Sequence, residues 1–253
     1  MNDDQLERYS RQIMLPDFDY QGQVDLLNAT VLIIGLGGLG SPVALYLAAA
    51  GVGHLVLVDD DQVDSSNLQR QIVHTEADIG VAKAESAAAS VRAINSTIKV
   101  TVIRQRLGGD ELLQQAQGAD LMIDCSDNSA TRFAANGASL KTKTPLISGA
   151  AIRMEGQVSV FDPRVEGAAC YQCVYGNPSA DDSERDVTCA ANGVLAPLVG
   201  IIGSVQAMEA VKLLAGVGDS LAGRLLVLDG KAMQWREFKA AKAAHCAACS
   251  NKV

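Results

Sequence analysis

The sequence predicts an α/β fold with a Rossmann-like, doubly wound and mostly parallel sheet and an antiparallel C-terminal extension. Three observations predict it. Short apolar runs rich in β-branched residues alternate with helix-length segments between residues 31 and 148. A glycine-rich turn follows the first run, as in nucleotide-binding β-α-β units. Beyond residue 157 the strand-like runs have the character of an antiparallel addition. The 253 residues suit one large α/β domain or two small ones.

The N-terminal elements follow from periodicity. Residues 4–14 predict an amphipathic helix, because apolar side chains recur at helical spacing while Arg11 lies on the polar side. A short irregular linker that contains Pro16 and Gly22 is expected next. The run 31–34 is apolar and β-branched, which predicts a strand that is covered on both faces.

The glycine-rich turn leads into the second part of this unit. Ser41 is predicted to cap an Ala-rich helix, with Pro42 at the first helical position and Gly51 at the end. Residues 55–58 predict the second strand. Later strands are predicted at 98–103, 121–123, 145–148, 158–161, 225–228 and 234–238. Later helices are predicted at 81–94, 110–117, 129–141 and 195–215, and a polar, turn-rich loop at 176–188.

The composition argues against several classes of function. Asp and Glu (29) outnumber Lys and Arg (21), and only 4% of residues are aromatic, so we expect no nucleic-acid partner. The acidic, polar N-terminus has no basic-then-apolar leader, which predicts a cytoplasmic protein. No charged residue occurs between Val31 and Val58, but six glycines interrupt this stretch. We interpret it as a buried β-α-β unit and expect no membrane association.

The glycine turn predicts a nucleotide site. Gly35, Gly37 and Gly40 form G-x-G-x-x-G between a strand and a helix, and Asp59 ends the second strand, where an acid binds ribose hydroxyls. Nicotinamide, flavin and adenylate sites share this pattern. Ser41 follows Gly40 where a P-loop has lysine, so a triphosphate needs cations from elsewhere.

Two candidate cations follow. Asn67 and Arg70 form a polar cluster just beyond the second strand, at the sheet edge where ligands of doubly wound folds bind. Lys83 lies near the start of the next helix. In isolation, each cation would be better explained as a solvated surface charge.

The cysteines predict a structural zinc site. Cys170 and Cys173 form one C-x-x-C pair and Cys246 and Cys249 another, which together supply four thiolates for tetrahedral zinc. This site would hold the C-terminal tail. Cys125, at the end of a strand, is interpreted as a buried core residue.

Several motifs together resemble the ubiquitin-activating-enzyme superfamily in its bacterial MoeB/ThiF/HesA branch. They are Gly-Leu-Gly-Gly-Leu-Gly, Ser-Asn-Leu-Gln-Arg-Gln, Lys83, Asp-Cys-Ser-Asp-Asn and the N-terminal Arg-Tyr-Ser-Arg-Gln-Ile. Residues 148–157 and 196–198 are most similar to molybdopterin-synthase adenylyltransferases. Residues 229–231 and 234–236 are more similar to the thiamine-pathway branch.

The resemblance implies an enzyme that binds ATP and Mg²⁺, adenylates the C-terminal Gly-Gly carboxylate of a ubiquitin-like sulfur carrier and releases pyrophosphate. Molybdenum cofactor biosynthesis is the first expectation, and the thiamine-pathway carrier is the alternative. A nicotinamide-dependent oxidoreductase is a more remote alternative, because it leaves Arg70, Lys83 and the cysteine pairs without a role. The expected organisation is one adenylation domain over 1–253. It comprises a helical arm (1–25), a nucleotide-binding part (26–155) and a part for the carrier and zinc (156–253).

The resemblance also implies roles for individual residues. Arg70, Lys83 and Arg11 would be catalytic cations, with Arg11 acting in the neighbouring subunit of a homodimer. Asp127 would bind Mg²⁺, although Asp124 competes for this role. Cys189 matches the position of a covalent intermediate that only some members use. The nucleotide-binding set implied is Gly38, Asp59, Ser66, Asn67, Leu68, Gln69, Arg70, Lys83, Asp127 and Asn128.

Overall fold

One mixed sheet of eight strands organises the protein. A computed structural model describes residues 1–177 and 192–250. The strands are β1 (Thr30–Ile34), β2 (His54–Val58), β3 (Lys99–Ile103), β4 (Leu121–Asp124), β5 (Leu146–Ile152), β6 (Glu155–Phe161), β7 (Arg224–Asp229) and β8 (Gln234–Lys239). Their order is β3-β2-β1-β4-β5-β6-β7-β8. The first five pair in parallel and the last three add antiparallel, so both parts of the predicted sheet are confirmed.

Helices cover both faces of the parallel part. They are α1 (Asp3–Ile13), α2 (Asp19–Asn28), α3 (Gly40–Ala50), α4 (Lys83–Ile94), α5 (Gly109–Gln117), α6 (Ser129–Thr142), α7 (Tyr171–Tyr175) and α8 (Ala196–Ala215). Because side chains alternate along a strand, Val31 and Ile33 of β1 join the core shared with α3, α4 and α8. Leu32 and Ile34 join the other core, with α5 and α6. The sheet is therefore doubly wound.

Helix α8 packs in the interior against α3 and the sheet. A Cβ atom at Gly203 would lie 2.4 Å from the carbonyl oxygen of Leu39, and one at Gly156 of β6 would lie 2.5 Å from Ile202. Within the described part of the chain, α8 alone has the length and apolar composition of a membrane span. Its packing against α3 and the sheet gives a reason for that composition. The uncharged stretch Val31–Val58 is the unit β1-α3-β2, as predicted.

Two local predictions are wrong. The segment expected to be an irregular linker contains α2, in which Gly22 permits close packing, since a Cβ there would lie 3.3 Å from that of Ala215. Ser41 does not cap α3, because the helix begins at Gly40 and the Ser41 hydroxyl donates to the carbonyl of Gly37 (2.7 Å). No side chain caps α3, so its N-terminus faces the glycine turn without a competing acceptor.

The loop predicted over 176–188 lies mostly outside the described residues, and so does Cys189.

Candidate nucleotide-binding site

A cleft of about 530 Å³ opens at the carboxyl ends of the parallel strands. The glycine turn after β1 and the acids after β2 form one side, and the loop between β4 and α6 forms the other. The β5–β6 hairpin extends the wall beyond β4. Parallel strands in this order bring separate loops to one edge of the sheet, which is where doubly wound folds bind ligands.

Close backbone packing explains the glycine turn. Gly35 has a left-handed φ of 91°, and a Cβ at Gly40 would lie 2.0 Å from the Gly35 carbonyl oxygen. A Cβ at Gly38 would lie 2.9 Å from Val199 of α8. Gly38 also lines the cleft, so a side chain there is excluded by α8 independently of any ligand.

The turn is held from two directions through Leu36. Its backbone N–H donates to Asp59 Oδ2 (2.7 Å), and its carbonyl accepts a hydrogen bond from His74 Nε2 (3.0 Å). Asp59 also accepts from the N–H of Asp61 (2.9 Å). Burial raises the pKa of Asp59, while these two N–H bonds oppose the rise. Each carboxylate oxygen has a second lone pair, which remains available to a ribose hydroxyl.

The two predicted cations both line the cleft. Lys83 is buried, and its Nζ lies 2.9 Å from Asp61 Oδ2. Arg70 donates from Nη1 to the Ser66 carbonyl (3.2 Å) and from Nη2 to Asn67 Oδ1 (3.2 Å). These contacts hold both cations beside the cleft. The partners of Arg70 are uncharged and the partner of Lys83, Asp61, is exposed, so an anionic ligand could replace them.

The predicted nucleotide-binding residues divide into two groups. Those that line the cleft are Gly38, Asp59, Arg70, Lys83, Asp127 and Asn128. Those outside its lining are Ser66, Asn67, Leu68 and Gln69, which form the turn that carries Arg70.

The two acids after β4 have different environments. Asp124 is fully buried and accepts hydrogen bonds from the hydroxyls of Ser126 (2.6 Å) and Ser148 (2.8 Å). Asp127 is exposed at the cleft. Asn128, not Asp127, caps α6, because its side chain accepts from the N–H of Thr131. Asp127 is therefore the acid that is accessible to a cation.

Arg11 lies far from this cleft in the same chain. Gln12, its neighbour on α1, donates to the carbonyl of Ala50 (3.1 Å) at the C-terminal end of α3. The Tyr9 ring packs over Gly51 there. The eleven residues of α3 separate this end from the glycine turn by about 16 Å. Exposed Arg11 thus lies towards the opposite edge of the sheet.

Sequence reasoning missed His74, which supports the glycine turn from behind. It is buried, donates from Nε2 to Leu36 and accepts at Nδ1 from the Ser86 hydroxyl (2.8 Å). Burial lowers its pKa, and the charge of Lys83 lowers it further. At neutral pH the ring is therefore neutral, and its proton is on Nε2 because the Leu36 carbonyl can only accept a hydrogen bond. A single histidine in a polar segment carries no signal of this role.

This histidine should make stability fall in mild acid. Because its folded-state pKa is lowered, the stabilisation is complete above about pH 6.5 and is lost as pH falls through the folded-state pKa. We expect His74→Gln to reduce the drop in Tm between about pH 7 and pH 5. Exposed His245→Gln is the matched control and should leave the pH profile unchanged. Equal profiles for both variants would contradict the role of His74.

The four paired cysteines converge as predicted. Their sulfurs lie within 4.8 Å of one another, with Cys170–Cys173 at 3.7 Å, Cys170–Cys246 at 3.6 Å and Cys173–Cys249 at 3.4 Å. Tetrahedral zinc with bonds of about 2.3 Å separates its sulfurs by about 3.8 Å. The cluster therefore fits zinc. Cys125 is buried, as predicted, and burial raises its thiol pKa.

Zinc at this cluster should stabilise the fold. We expect about one zinc per chain after purification without chelator, and its loss in Cys246→Ser. Removal of the ion should lower Tm by about 5 °C or more, because the tail from residue 240 is then held by little else. Cys125→Ala is the control that should retain zinc. Metal-free wild-type protein with an unchanged Tm would contradict the site.

Comparison with known proteins identifies relatives along nearly the whole chain. The ThiF family profile matches residues 9–250. The molybdopterin-synthase adenylyltransferase of Salmonella typhimurium is 46% identical over 98% of both chains. The sulfur carrier protein ThiS adenylyltransferase of Escherichia coli is also 46% identical, over 98% of this chain and 97% of its own.

A longer relative and a solved structure complete the comparison. The adenylyltransferase and sulfurtransferase MOCS3 of Drosophila grimshawi is 44% identical over all 253 residues, and this chain spans 56% of its length. A crystal structure of E. coli MccB with MccA-N7isoASN has a TM-score of 0.83 at 23% identity. It covers 97% of this chain and 75% of its own, which shows a shared fold. With the family profile matching residues 9–250, the chain belongs to the ThiF family.

Proposed function

We propose that this protein binds ATP in the cleft and transfers AMP to the C-terminal Gly-Gly carboxylate of a ubiquitin-like sulfur carrier, with release of pyrophosphate. The observation that carries the proposal is that one cleft combines the groups that ATP requires. The uncapped N-terminus of α3 lies behind the glycine turn, and the cleft lining includes Asp59 for the ribose, the cations Arg70 and Lys83, and the accessible Asp127 for a metal ion. The bacterial relatives named as adenylyltransferases support the same reaction.

The acceptor needs no general base. A terminal carboxylate has a pKa of about 3.5, so at neutral pH it is already anionic and nucleophilic. This agrees with a cleft lining that includes no histidine among the described residues. One carboxylate oxygen attacks the α-phosphorus, and the bond to the β-phosphate oxygen breaks. The bonding electrons leave with pyrophosphate, and no proton is transferred.

The chemistry requires stabilisation of negative charge on the phosphates. Arg70 and Lys83 would supply it on the β2 side, after exchange of Asn67 and Asp61 for phosphate oxygens. The N-terminus of α3 would add its backbone N–H groups. Asp59 would bind the ribose hydroxyls. These contacts would let the site hold a triphosphate without a P-loop lysine.

Asp127 fits Mg²⁺ in its charge and accessibility. Mg²⁺ binds oxygen ligands and commonly needs only one or two protein carboxylates alongside substrate phosphates. Mg²⁺ would supply charge neutralisation at the phosphates. Asp127 would orient the ion, while Asn128 keeps the start of α6 fixed.

The acceptor tail would enter over the β5–β6 hairpin. The lining there includes small residues, Ala150, Ala151 and Gly156, which leave room for an extended Gly-Gly segment. Of these residues, Gly156 begins the part of the chain that we assign to the carrier and zinc (156–253), whereas Ala150 and Ala151 belong to the nucleotide-binding part (26–155). Cys189 would be a secondary candidate for a covalent intermediate.

Arg11 would act in a homodimer. On its own chain α1 packs at the C-terminal end of α3, away from the cleft. A cation in that position can serve the reaction only in a neighbouring subunit. The proposed active site is therefore formed by two chains, and a separated monomer would have little activity.

The first carrier we propose is that of molybdenum cofactor biosynthesis, and the second is the thiamine-pathway carrier. The two bacterial relatives are equally identical to this chain. The Asp229-Gly230-Lys231 motif, which favoured the second carrier, has a local structural reason. Asp229 accepts from the backbone N–H of Lys231 (2.9 Å) and Ala232 (3.2 Å) in the turn between β7 and β8.

Nucleotide selectivity tests the proposal against the oxidoreductase alternative. ATP with Mg²⁺ at about 100 times Kd should stabilise the protein by about 2.7 kcal/mol, whereas NAD should give no shift. A purified Gly-Gly carrier should then stimulate exchange of labelled pyrophosphate into ATP. The same carrier without its last two glycines is the control. Stabilisation by NAD but not by ATP would overturn the proposed function.

A further inference from the structure

Besides Arg70, the cleft wall contains Arg132, which has no part in the assignments above. Arg132 of α6 lines the cleft, and 19% of its side chain is exposed. Its Nη2 donates to the Ser126 carbonyl (2.9 Å), and its Nε lies 3.9 Å from Asp124 Oδ2. The buried Nε has no hydrogen-bond partner among residues 1–177 and 192–250. The guanidinium has five N–H groups, and the bond to the Ser126 carbonyl uses one of them, so donors on the two Nη atoms remain for a ligand in the cleft.

Tyr171 holds this guanidinium from behind. The Tyr171 side chain lies within reach of the guanidinium and raises its pKa, although burial opposes the rise. The Tyr171 ring packs edge-on against Phe133 (5.4 Å between ring centroids) and Phe161 (5.7 Å), and its backbone N–H donates to Asn136 Oδ1. Tyr171 is itself buried. A side chain fixed on several sides keeps Arg132 in one orientation with little loss of conformational entropy on binding.

The position of Arg132 in the sheet order suggests which anion it binds. Arg70 and Lys83 follow β2, on one side of the glycine turn, whereas Arg132 follows β4, on the other side. The β5–β6 hairpin, our proposed acceptor route, is next to β4. Arg132 thus lies between the acceptor route and the triphosphate cations.

The charges of the two reactants indicate what Arg132 could do in the reaction. The reaction brings an anionic carboxylate towards an anionic α-phosphate, and this approach is repulsive unless a cation lies beside the acceptor. A guanidinium presents paired N–H groups that match a carboxylate. Asp124 balances the buried charge of Arg132 while the acceptor is absent. Its own carboxylate oxygens accept from Ser126 and Ser148, which keeps Asp124 in place.

We infer that Arg132 binds the acceptor carboxylate and holds it at the α-phosphate, and that Tyr171 is the positioning residue for Arg132. The inference rests on the proposed function. It separates the cations into two groups: Arg70, Lys83 and Arg11 act on the triphosphate, and Arg132 acts on the acceptor. Arg132 accepts and releases no proton in this step.

Replacement of Arg132 should therefore weaken binding of the acceptor carboxylate and leave the affinity for ATP unchanged. Arg132→Lys keeps the charge opposite Asp124 and loses the paired N–H groups. We expect it to raise the KM for the purified Gly-Gly carrier about tenfold or more, with ATP affinity within about twofold of wild type. Tyr171→Phe keeps the ring packing and should raise the carrier KM about threefold or more at unchanged ATP affinity. Exposed Arg104→Lys is the control that should change neither.

Both readouts are needed to judge the inference. Carrier KM comes from pyrophosphate exchange, and ATP affinity comes from calorimetry with Mg²⁺ present. An unchanged carrier KM in both variants, or a loss of ATP affinity without a rise in carrier KM, would overturn the inference. If Arg132→Lys does not fold, the carrier KM and the ATP affinity of Tyr171→Phe decide whether the inference holds. Wild-type protein that neither binds ATP nor exchanges pyrophosphate with any carrier overturns the proposed function itself, which is a separate outcome.

Discussion

Replacement of Asp127 by asparagine is expected to lower the rate of carrier-dependent pyrophosphate exchange by about a thousandfold. The substitution removes the accessible carboxylate that would orient Mg²⁺ at the phosphates, and it keeps the size of the side chain. The fold should survive, because Asn128 caps α6 and Asp127 is exposed. A lower exchange rate in a folded Asp127→Asn protein can therefore be assigned to the reaction and not to unfolding.

The measurement is exchange at saturating ATP over a range of Mg²⁺ concentrations, with Tm recorded for each protein. Asp110→Asn is the control, since Asp110 is an exposed acid in the first turn of α5. Its rate and Tm should match wild type. An Asp127→Asn protein within about tenfold of the wild-type rate would contradict the role of Asp127 at the metal.

Mixing two inactive variants is expected to restore activity. Arg11→Ala and Arg70→Ala should each lower exchange by about a hundredfold, because each removes a cation from the charged transition state. In a mixed dimer, one cleft receives wild-type Arg70 from its own chain and wild-type Arg11 from the partner. The other cleft lacks both. Random pairing in a symmetric dimer then gives about a quarter of the wild-type activity.

The experiment co-expresses the two variants with different affinity tags, so that mixed dimers can be isolated. Each variant co-expressed with a tagged copy of itself should stay inactive. Isolated mixed dimers should reach about half of wild-type activity, since one of two clefts is complete. Mixed dimers without recovered activity would contradict a site shared between chains, and so would a fully active monomer.

Most of the fold was predictable because its signals are local. Residues 31–34 of β1 are apolar at every position, and the structure shows why: alternate side chains pack against two different layers of helices. The change from parallel to antiparallel strands was equally predictable, because the strand-like runs change character beyond residue 157. By contrast, α2 depends on tertiary packing, since Gly22 resembles a helix breaker in sequence yet permits contact with Ala215. The short α7 lies beside Cys170 and packs against α6, which periodicity cannot reveal.

The candidate site was predictable wherever strand order brings residues together. Asp59, Arg70, Lys83 and Asp127 each follow a parallel strand, so they meet at one edge. His74 and Arg132 were missed because their partners are distant in sequence. His74 supports Leu36, 38 residues away, and Tyr171 lies well beyond α6. The Ser41 cap was wrong because the helix begins at Gly40 and the Ser41 hydroxyl donates to the carbonyl of Gly37.

The central claim is that AMP is transferred to the terminal carboxylate of a sulfur carrier. The most direct measurement incubates the protein with ATP, Mg²⁺ and each purified Gly-Gly carrier, and then determines the intact mass of the carrier. We predict that the molybdopterin-synthase carrier gains one AMP and that pyrophosphate is released in equal amount. The same carrier without its terminal glycines should gain no AMP. An adduct on the thiamine-pathway carrier alone would reverse the order of carriers. No adduct on any carrier, with ATP bound, would contradict the proposed reaction.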